Sequence, residues 1–221
     1  MEEYKKRELS PEKKNELVAW LHSYTKPFRE LMAYYRCAIM ETETKFRVLS
    51  EELSLGYDRN PIETVKSRLK SIESIAHKLE SESLSLSVEN ILENLSDVAG
   101  IRVICGFPSD IYTISEAFLK QDDIKLICRK DYIQNPKPNG YRSLHLIVEI
   151  PIFLHAEKRL MKVEVQFRTI SMDWWASLEH KIRYKKNVEV DEAIARELKD
   201  CADSAAALDA RMERIQQTLK H

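Results

Sequence analysis

Two acidic residues occupy places in predicted strands from which they could bind a metal ion. Asp97 immediately precedes the apolar segment VAGIRVICGF, and Glu164 lies between Val163 and Val165 in the segment KVEVQFRT. Because side chains alternate along a strand, we expect Glu164 on the face opposite these valines. Carboxylates from neighbouring strands could converge on Mg²⁺, which prefers oxygen ligands and keeps positions open for phosphate oxygens. The simpler alternative is a turn or capping role for Asp97 and a solvent-facing strand position for Glu164.

A basic segment, SRLKSIESIAHK, lies within a predicted helix that Pro61 opens. Its positively charged residues are Arg68, Lys70 and Lys78, and Lys66 directly precedes the segment. Arg and Lys donate charge-assisted hydrogen bonds to phosphate oxygens, so this helix could hold a triphosphate. The alternative is a solvated helix face, which is the usual position of such charged residues.

A third group lies in KDYIQNPKPNGYRSLH, where the prolines, Asn139 and Gly140 exclude any regular element. Tyr141 could offer a flat face to a base, and the basic residues around it could hold phosphates. These residues are Lys130, Lys137, Arg142 and His145. An ordinary hairpin connection with solvating charges is the alternative, but the loop is longer and richer in donors than a turn requires.

The segment TISMDWWASLEHK begins the next predicted helix. Its large apolar residues are expected to be buried beneath the sheet, as such residues usually are; they are Trp174, Trp175, Leu178 and Ile182. Asp173 could accept hydrogen bonds from the edge of a guanine base. Capping of the helix is the equally simple alternative for Asp173.

The elements that must position these residues form helices, then a sheet, then further helices. Apolar spacing predicts one helix from about Ser10 to Tyr24, a second after Pro27, and a third opened by Pro61 that carries Ile62, Val65 and Leu69 on its core face. The segments VAGIRVICGF, IKLICRKDYI, SLHLIVEI and KVEVQFRT predict four strands, with a helix capped by Ser109 after the first. A long helix is predicted from about Asp191 to Leu219. The apolar stripes of the end helices are extensive enough to suggest oligomerisation, although packing across the sheet is the simpler interpretation.

Composition excludes several classes of protein. Lys and Arg total 35 and Asp and Glu total 36, for a net charge of -1, so the overall charge does not indicate a nucleic-acid-binding protein. The 4 cysteines are widely spaced, which is typical of neither a disulfide framework nor a cysteine zinc site. No signal peptide or membrane span is recognisable. We therefore expect a soluble, cytoplasmic protein that binds neither membranes nor DNA; RNA binding is left open without support.

Four segments together resemble the synthetase domain of the RelA/SpoT alarmone enzymes, above all the single-domain small alarmone synthetases of the RelP and RelQ types, and RelP more than RelQ. They are SRLKSIESIAHKL, DVAGIRVIC, DYIQNPKPNGYRSLHLIVEIP and VEVQFRTISMDWWASLEHKI, in the family's order between about Asn60 and Tyr184. The resemblance implies an α+β fold with a mixed sheet of about five strands, similar to nucleotidyltransferases and flanked by N- and C-terminal helices. It implies one synthetase domain over residues 1–221, with a helical extension at 1–58, a catalytic core at 60–185 and a C-terminal helix at 190–220.

The resemblance also implies transfer of a diphosphate from ATP to the 3′-hydroxyl of GDP or GTP, with Mg²⁺ as cofactor. By motif, Asp97 would bind the metal, and Glu164 would share it or activate the hydroxyl. The residues implied for ATP are Arg68, Lys70, Ser71, Lys78 and Arg102, of which the two arginines would enclose the adenine ring. The residues implied for the acceptor nucleotide are Lys130, Lys137, Tyr141, Arg142, His145, Gln166 and Asp173. Among these, Tyr141 would stack on guanine, and Asp173 stands where some relatives carry Asn.

Further expectations follow from the same resemblance. Long relatives also hydrolyse the product at a metal site built on a His-Asp pair, and none of the 6 histidines here is followed by Asp; synthesis without hydrolysis is therefore expected. Members of this size form homotetramers, which we expect here too. Relatives that their product activates carry an aromatic residue in the stretch that corresponds to Glu63–Lys66, and this chain does not. Product activation is therefore not expected.

Two other functions stay open on the sequence. One is a related pyrophosphokinase that uses an adenine nucleotide as acceptor. The other is a non-catalytic module that binds guanine nucleotide or single-stranded RNA. The presence of both Asp97 and Glu164 weighs against the second, because a module without catalysis would not need them.

Overall fold

The computed structural model describes residues 25–56, 59–185 and 191–219. The helix predicted between Ser10 and Tyr24 lies outside the described residues. Five segments form one sheet; they are β1 (Ile62–Leu69), β2 (Ala99–Cys105), β3 (Lys125–Asp131), β4 (Leu144–Phe153) and β5 (Lys158–Thr169). The strand order is β1-β2-β5-β4-β3. Only the central β2–β5 pair is parallel, so the predicted mixed sheet of about five strands is confirmed.

Six described helices surround this sheet; they are α1 (Thr25–Gly56), α2 (Ile72–Ser81), α3 (Val88–Asn94), α4 (Pro108–Leu119), α5 (Ile170–Lys185) and α6 (Glu192–Leu219). The sequence analysis missed α3, which is short but has a clear start signal. The Ser87 side chain accepts a hydrogen bond from the backbone N–H of Asn90 at 3.1 Å, which satisfies one of the unpaired donors of the first turn.

One face of the sheet is apolar and carries the core. Val163, Val165 and Phe167 of β5 are fully buried there, together with the matching positions of β2 and β4. Phe46 of α1 stacks on Phe118 of α4 with ring centroids 4.6 Å apart, and meets Phe167 edge-on at 5.7 Å. Burial of each such side chain stabilises the fold by about 1.5–3 kcal/mol. Since α1 and α4 cover this face, the alternate residues of the strands are left on the opposite face.

The helix predicted to begin at Pro61 is wrong over its first part, because residues 62–69 form the edge strand β1. This strand pairs antiparallel with β2, from Ile62 opposite Cys105 to Leu69 opposite Ala99. The apolar residues of this segment are spaced three and four apart, as in an amphipathic helix. On an edge strand most side chains are exposed, so apolar and polar residues need not alternate. Pairing with β2 satisfies the backbone and overrides the local pattern. The helix itself covers only Ile72–Ser81.

Two smaller predictions are also wrong. The N-cap of α4 is Phe107 rather than Ser109, because Pro108 is suited to the first helical position and places the cap one residue earlier. In α5, Trp175 is buried and its indole N–H donates to the Leu198 carbonyl at 2.8 Å. Trp174, Leu178 and Ile182 are 55%, 38% and 44% exposed, so the prediction that these three side chains are buried beneath the sheet is wrong.

Within the described residues, no helix combines the length and the apolar character that a bilayer-crossing segment requires.

Helix α6 packs closely on the loop between β3 and β4. Gly140 in this loop has a φ of +89°, and a Cβ atom added there would lie 2.6 Å from the Ala202 Cβ of α6. Ala202 is itself buried. The loop can therefore approach the helix only because residue 140 has no side chain.

We expect Gly140→Ala to lower the free energy of unfolding by about 1–3 kcal/mol, because it adds an unfavourable backbone conformation to a steric overlap. Urea unfolding followed by circular dichroism measures this change. Gly100→Ala is the control, because a Cβ there would meet its nearest neighbour, the Arg68 carbonyl oxygen, at an ordinary 3.6 Å. A loss of stability at Gly100 as large as that at Gly140 would contradict the interpretation.

Candidate active site

The strand register places a row of polar side chains across the whole open face of the sheet. Lys66 is opposite Arg102, Arg102 is opposite Gln166, Gln166 is opposite His145, and His145 is opposite Lys130. In the next row, Gly100 lies between Arg68 of β1 and Glu164 of β5. The absence of a side chain at Gly100 leaves space on this face between a cation and a carboxylate.

Residues from both predicted nucleotide sites line one cavity of about 210 Å³ at this face. The lining residues are Lys78, Ser96, Asp97, Lys130, Tyr132, Lys137, His145, Ile147 and Glu164. The two predicted metal carboxylates, one residue predicted for ATP and three predicted for the acceptor thus share a single space. The cavity is lined mainly by charged and polar groups, as a site for polyphosphate requires.

Asp97 is held between two lysines. Lys70 Nζ lies 2.6 Å from one carboxylate oxygen of Asp97, and Lys78 Nζ lies 2.9 Å from the other. Burial raises the pKa of Asp97, but the hydrogen bonds from Lys70 and Lys78 outweigh this effect and leave the pKa below its ordinary value. Burial also lowers the pKa of Lys70, which is 6% exposed, although Asp97 partly offsets this. Asp97 is therefore ionised at neutral pH and serves as the counter-charge of both lysines.

Glu164 is held on the same face by two partners. His145 Nδ1 lies 3.3 Å from one carboxylate oxygen, and Gln166 Nε2 donates to the other at 2.9 Å. Burial raises the pKa of Glu164, the interaction with His145 lowers it, and the net pKa lies below the ordinary value. The charge of Asp97 also raises this pKa, which means that the two carboxylates are close enough to repel each other.

This donor set fits a magnesium ion that also binds substrate. Among residues 25–56, 59–185 and 191–219, no three His, Cys, Asp or Glu side chains form a metal-binding group. The carboxylates that the cavity lining offers to an ion are those of Asp97 and Glu164. Mg²⁺ is commonly bound in this way, through one or two carboxylates together with substrate phosphates and waters.

The loop between β3 and β4 supplies Tyr132 and Lys137 to the cavity lining, whereas Tyr141 is not among the lining residues. Tyr132 and Tyr141 each meet the His145 ring edge-on, with centroids 5.3 Å and 5.8 Å away. Lys137 Nζ lies 4.7 Å from the Tyr132 ring centroid and 5.2 Å from that of Tyr141. The sequence analysis left Tyr132 out of the site, although its place two residues after Lys130 could have indicated it. We name this group, Tyr132, Tyr141 and His145, the aromatic cluster.

The other residues predicted for ATP lie around the start of α2 and on the row described above. Arg68 is exposed on β1, and its charge lowers the pKa of Arg102, although burial is the larger cause. The two residues lie on neighbouring strands, where Arg68 is paired with Gly100 and Arg102 with Lys66. The Ser71 hydroxyl caps α2 by accepting from the Ser74 backbone N–H at 3.3 Å.

Arg142 and Asp173 have protein partners that local sequence could not reveal. Arg142 donates to the Gly140 carbonyl and to Asp203 of α6, both at 3.0 Å, and it is not among the residues that line the cavity. Asp173 is 8% exposed and lies within 3.2 Å of Lys66 and 3.1 Å of Arg102. The roles of Arg142 in phosphate binding and of Asp173 in base reading stay predictions.

Arg168 is a third partner of Asp173, at 3.1 Å, and the sequence analysis missed it altogether. The signal was available, because Glu164, Gln166 and Arg168 alternate with apolar residues in KVEVQFRT. The same period of two that directs Glu164 to the open face directs Arg168 there as well.

Known proteins match the chain in sequence and in fold. A family model described as a region found in RelA/SpoT proteins matches residues 67–189. The chain is 44% identical over 192 residues to GTP pyrophosphokinase YwaC of Bacillus subtilis (strain 168), which covers 87% of this chain and 91% of YwaC. A crystal structure of small alarmone synthetase 2 from B. subtilis aligns with a TM-score of 0.80 at 43% identity, over 87% of this chain and 100% of that one. Small alarmone synthetase 1 from B. subtilis, bound to its product pppGpp, aligns with a TM-score of 0.81 at 31% identity, over 89% of this chain and 100% of that one.

We expect Asp97→Asn to lower the free energy of unfolding at neutral pH by up to about 3–5 kcal/mol, because Lys70 and Lys78 lose their shared counter-charge. The folded pKa of Asp97 lies below its unfolded value of about 3.9, so its contribution is present above that pH and is lost as the pH falls through the folded pKa. The variant should therefore lose less stability than the wild type on acidification from about pH 5 to about pH 3.

Urea unfolding at a series of pH values measures both effects. Asp122→Asn, at an exposed position between α4 and β3, is the control and should follow the wild type. If the free energy of unfolding of Asp97→Asn fell as steeply with decreasing pH as that of the wild type, the two lysines would not depend on this carboxylate.

Proposed function

The chain belongs to the RelA/SpoT family, and from this premise we propose that it is a GTP pyrophosphokinase. It transfers the β,γ-diphosphate of ATP to the 3′-hydroxyl of GDP or GTP, giving AMP and ppGpp or pppGpp. The observation that carries the proposal is the cavity that Asp97, Glu164, Lys78 and Lys130 line together with two members of the aromatic cluster, Tyr132 and His145. Such a reaction needs two polyphosphates side by side, a base for one hydroxyl and enough cations to offset the combined negative charge.

The lysines around Asp97 are suited to hold the donor phosphates. When ATP enters, its phosphate oxygens compete with Asp97 for Lys70 and Lys78. As the ammonium groups turn to phosphate, the oxygens of Asp97 become available. Asp97 would hold Mg²⁺, whose charge offsets the negative charge of the phosphates in transfer. Binding of the ATP phosphates to Lys70 and Lys78 would thus free the Asp97 carboxylate to bind the metal ion.

Glu164 is suited to accept the proton of the acceptor 3′-hydroxyl. Its pKa lies below the ordinary value, so it is ionised and able to accept a proton at neutral pH. His145 and Gln166 each bind one of its oxygens and fix the plane of the carboxylate. As the hydroxyl oxygen bonds to the β-phosphorus, the bond between that phosphorus and the oxygen bridging it to the α-phosphorus breaks, and AMP leaves.

Aromatic and guanidinium groups are suited to the two bases. The Tyr141 ring can stack on guanine, an interaction that contributes about 1–3 kcal/mol in nucleotide sites. Lys137, beside this ring, can reach the acceptor phosphates. Arg68 and Arg102 can enclose the adenine of the donor, because guanidinium groups stack on planar rings.

The assembly we propose is a homotetramer. Exposed apolar residues follow one side of α5, at Ile170, Trp174, Leu178 and Ile182. A second set follows the last turns of α6, at Leu208, Met212, Ile215 and Leu219. Contiguous apolar residues of this extent are typical of surfaces that another subunit covers.

The substrate assignment is tested by incubating the protein with ATP, Mg²⁺ and one acceptor at a time, and separating the products by anion-exchange chromatography. We expect 3′-diphosphorylated product and an equal amount of AMP with GDP and with GTP, and none with ADP. No loss of added ppGpp is expected, because the protein is proposed to synthesise and not to hydrolyse. Product with ADP alone would identify the adenine-nucleotide alternative, and tight binding of GDP without turnover would identify the non-catalytic one.

Glu164→Gln should lower kcat by about 10²–10⁴-fold, because the amide cannot accept the proton from the hydroxyl. The KM for each nucleotide and the melting temperature should change little. Glu149→Gln is a matched control, because Glu149 lies on the same face of the sheet and binds Lys125 at 3.2 Å, outside the cavity lining. A Glu164→Gln enzyme with wild-type kcat would exclude Glu164 as the base.

A further inference from the structure

Arg168 lies near the end of β5, on the same face of the sheet as Glu164 and Gln166. The proposed reaction gives it no role so far. Its guanidinium group is deeply buried, with the whole residue 5% exposed. One terminal nitrogen donates to Asp173 at 3.1 Å, and the other donates to the Tyr141 hydroxyl at 2.8 Å and to the Gln166 side-chain oxygen at 3.1 Å. The centre of the guanidinium lies 5.2 Å from the Tyr141 ring centroid. Arg168 therefore contacts two of the residues proposed to act on the acceptor.

These contacts close a ring of five side chains. Tyr141 bonds His145 Nε2 at 2.8 Å, His145 bonds Glu164 at 3.3 Å, Gln166 bonds Glu164 at 2.9 Å, and Arg168 bonds both Gln166 and Tyr141. Arginine can only donate, so the Tyr141 oxygen accepts from Arg168, which leaves the Tyr141 O–H available to His145 Nε2. Because the Glu164 carboxylate can only accept, His145 Nδ1 carries the proton between them, and Nε2 faces the Tyr141 hydroxyl. Within the described residues, the buried Nε of Arg168 has no hydrogen-bond partner.

A buried guanidinium group needs a counter-charge, and Asp173 supplies it. Asp173 also binds Lys66 and Arg102, so one carboxylate fixes three cations. The guanidinium group is planar and rigid, so fixing one nitrogen on Asp173 sets the direction of the other. That second nitrogen is the one that bonds Tyr141 and Gln166.

We propose that Arg168 is a positioning residue of the acceptor site. It holds the hydroxyl of Tyr141, and so fixes the plane of the ring against which the purine of the acceptor nucleotide stacks. Through Gln166 it also supports the carboxylate of Glu164. This inference rests on the proposed function, because it assigns the Tyr141 ring to the acceptor rather than to the donor.

The test compares Arg168→Gln, Tyr141→Phe and the double variant in steady-state kinetics with GDP and ATP. Arg168→Gln should raise the KM for GDP about 10-fold or more, the loss expected for one charge-assisted hydrogen bond, and leave the KM for ATP within about twofold. Tyr141→Phe keeps the ring and removes only the hydroxyl. The double variant should therefore have the same KM for GDP as the worse single variant, because both changes break the same contact.

If Arg168 served only as the ion-pair partner of Asp173, an Arg168→Lys variant would behave differently from what the proposal predicts. Arg168→Lys keeps the charge that Asp173 needs, but one ammonium group cannot reproduce the two-nitrogen geometry of the guanidinium. The melting temperature of Arg168→Lys should therefore return towards the wild-type value while the KM for GDP stays raised. Recovery of both, or independent and additive effects of Arg168→Gln and Tyr141→Phe, would overturn the proposal.

Arg159→Gln is the matched control for these variants. Arg159 lies near the start of the same strand, over the Tyr34 ring at 4.4 Å and beside Glu157 at 2.8 Å, outside the cavity lining. It should leave both KM values unchanged. Calorimetric titration of the wild type and each variant with GDP, in the absence of ATP, tests the role of Arg168 separately from the proposed reaction. A wild type that binds GDP but makes no product refutes the reaction, whereas a wild type and an Arg168→Gln variant that bind GDP equally refute the role of Arg168.

Discussion

The parallel pairing of β2 with β5 at the centre of the sheet is the constraint on which the site depends. It sets Glu164 beside Gly100, a short distance along the chain from Asp97, and so brings residues far apart in sequence to one place. The same register aligns Arg102 with Gln166 and, through β4, with His145. A shift of one residue would turn Glu164 into the core and Val163 or Val165 towards the substrate. The fully buried apolar side of β5 opposes such a shift, so packing on one face holds the chemistry on the other.

Charge on the open face is balanced by very few anions. Asp97 binds Lys70 and Lys78, and Asp173 binds Lys66, Arg102 and Arg168. These contacts hold the cations in place without substrate, at a low cost in repulsion. They also explain why a chain with a net charge of -1 can be built to bind polyphosphates. What matters for binding is the local excess of cations over carboxylates, and overall composition cannot report it.

Structural features that depend only on residues adjacent in the sequence could be predicted from the sequence. Alternation along KVEVQFRT placed Glu164 opposite the core, and the β-branched segments marked four of the five strands. The fifth, β1, was mistaken for a helix because its identity depends on pairing with β2, which no local pattern records. The partners of Asp173 and Arg142 were equally hidden. Asp173 and Arg102 are 71 positions apart and Arg142 and Asp203 are 61, so only the folded chain brings them together. Arg168, by contrast, could have been found by carrying the alternation two residues further.

The loop between β3 and β4 packs against a helix that lies beyond the segment matched by the family model. That segment ends at residue 189, and α6 begins at Glu192. Nevertheless α6 receives the Arg142 side chain at Asp203 and packs Ala202 against Gly140, directly beside Tyr141. The last turns of α6 carry the exposed apolar residues for which we propose contact with another subunit. Because one helix joins these two regions, the position of the Tyr141 ring, for which we propose stacking on the acceptor base, is tied to the surface through which we propose that subunits assemble.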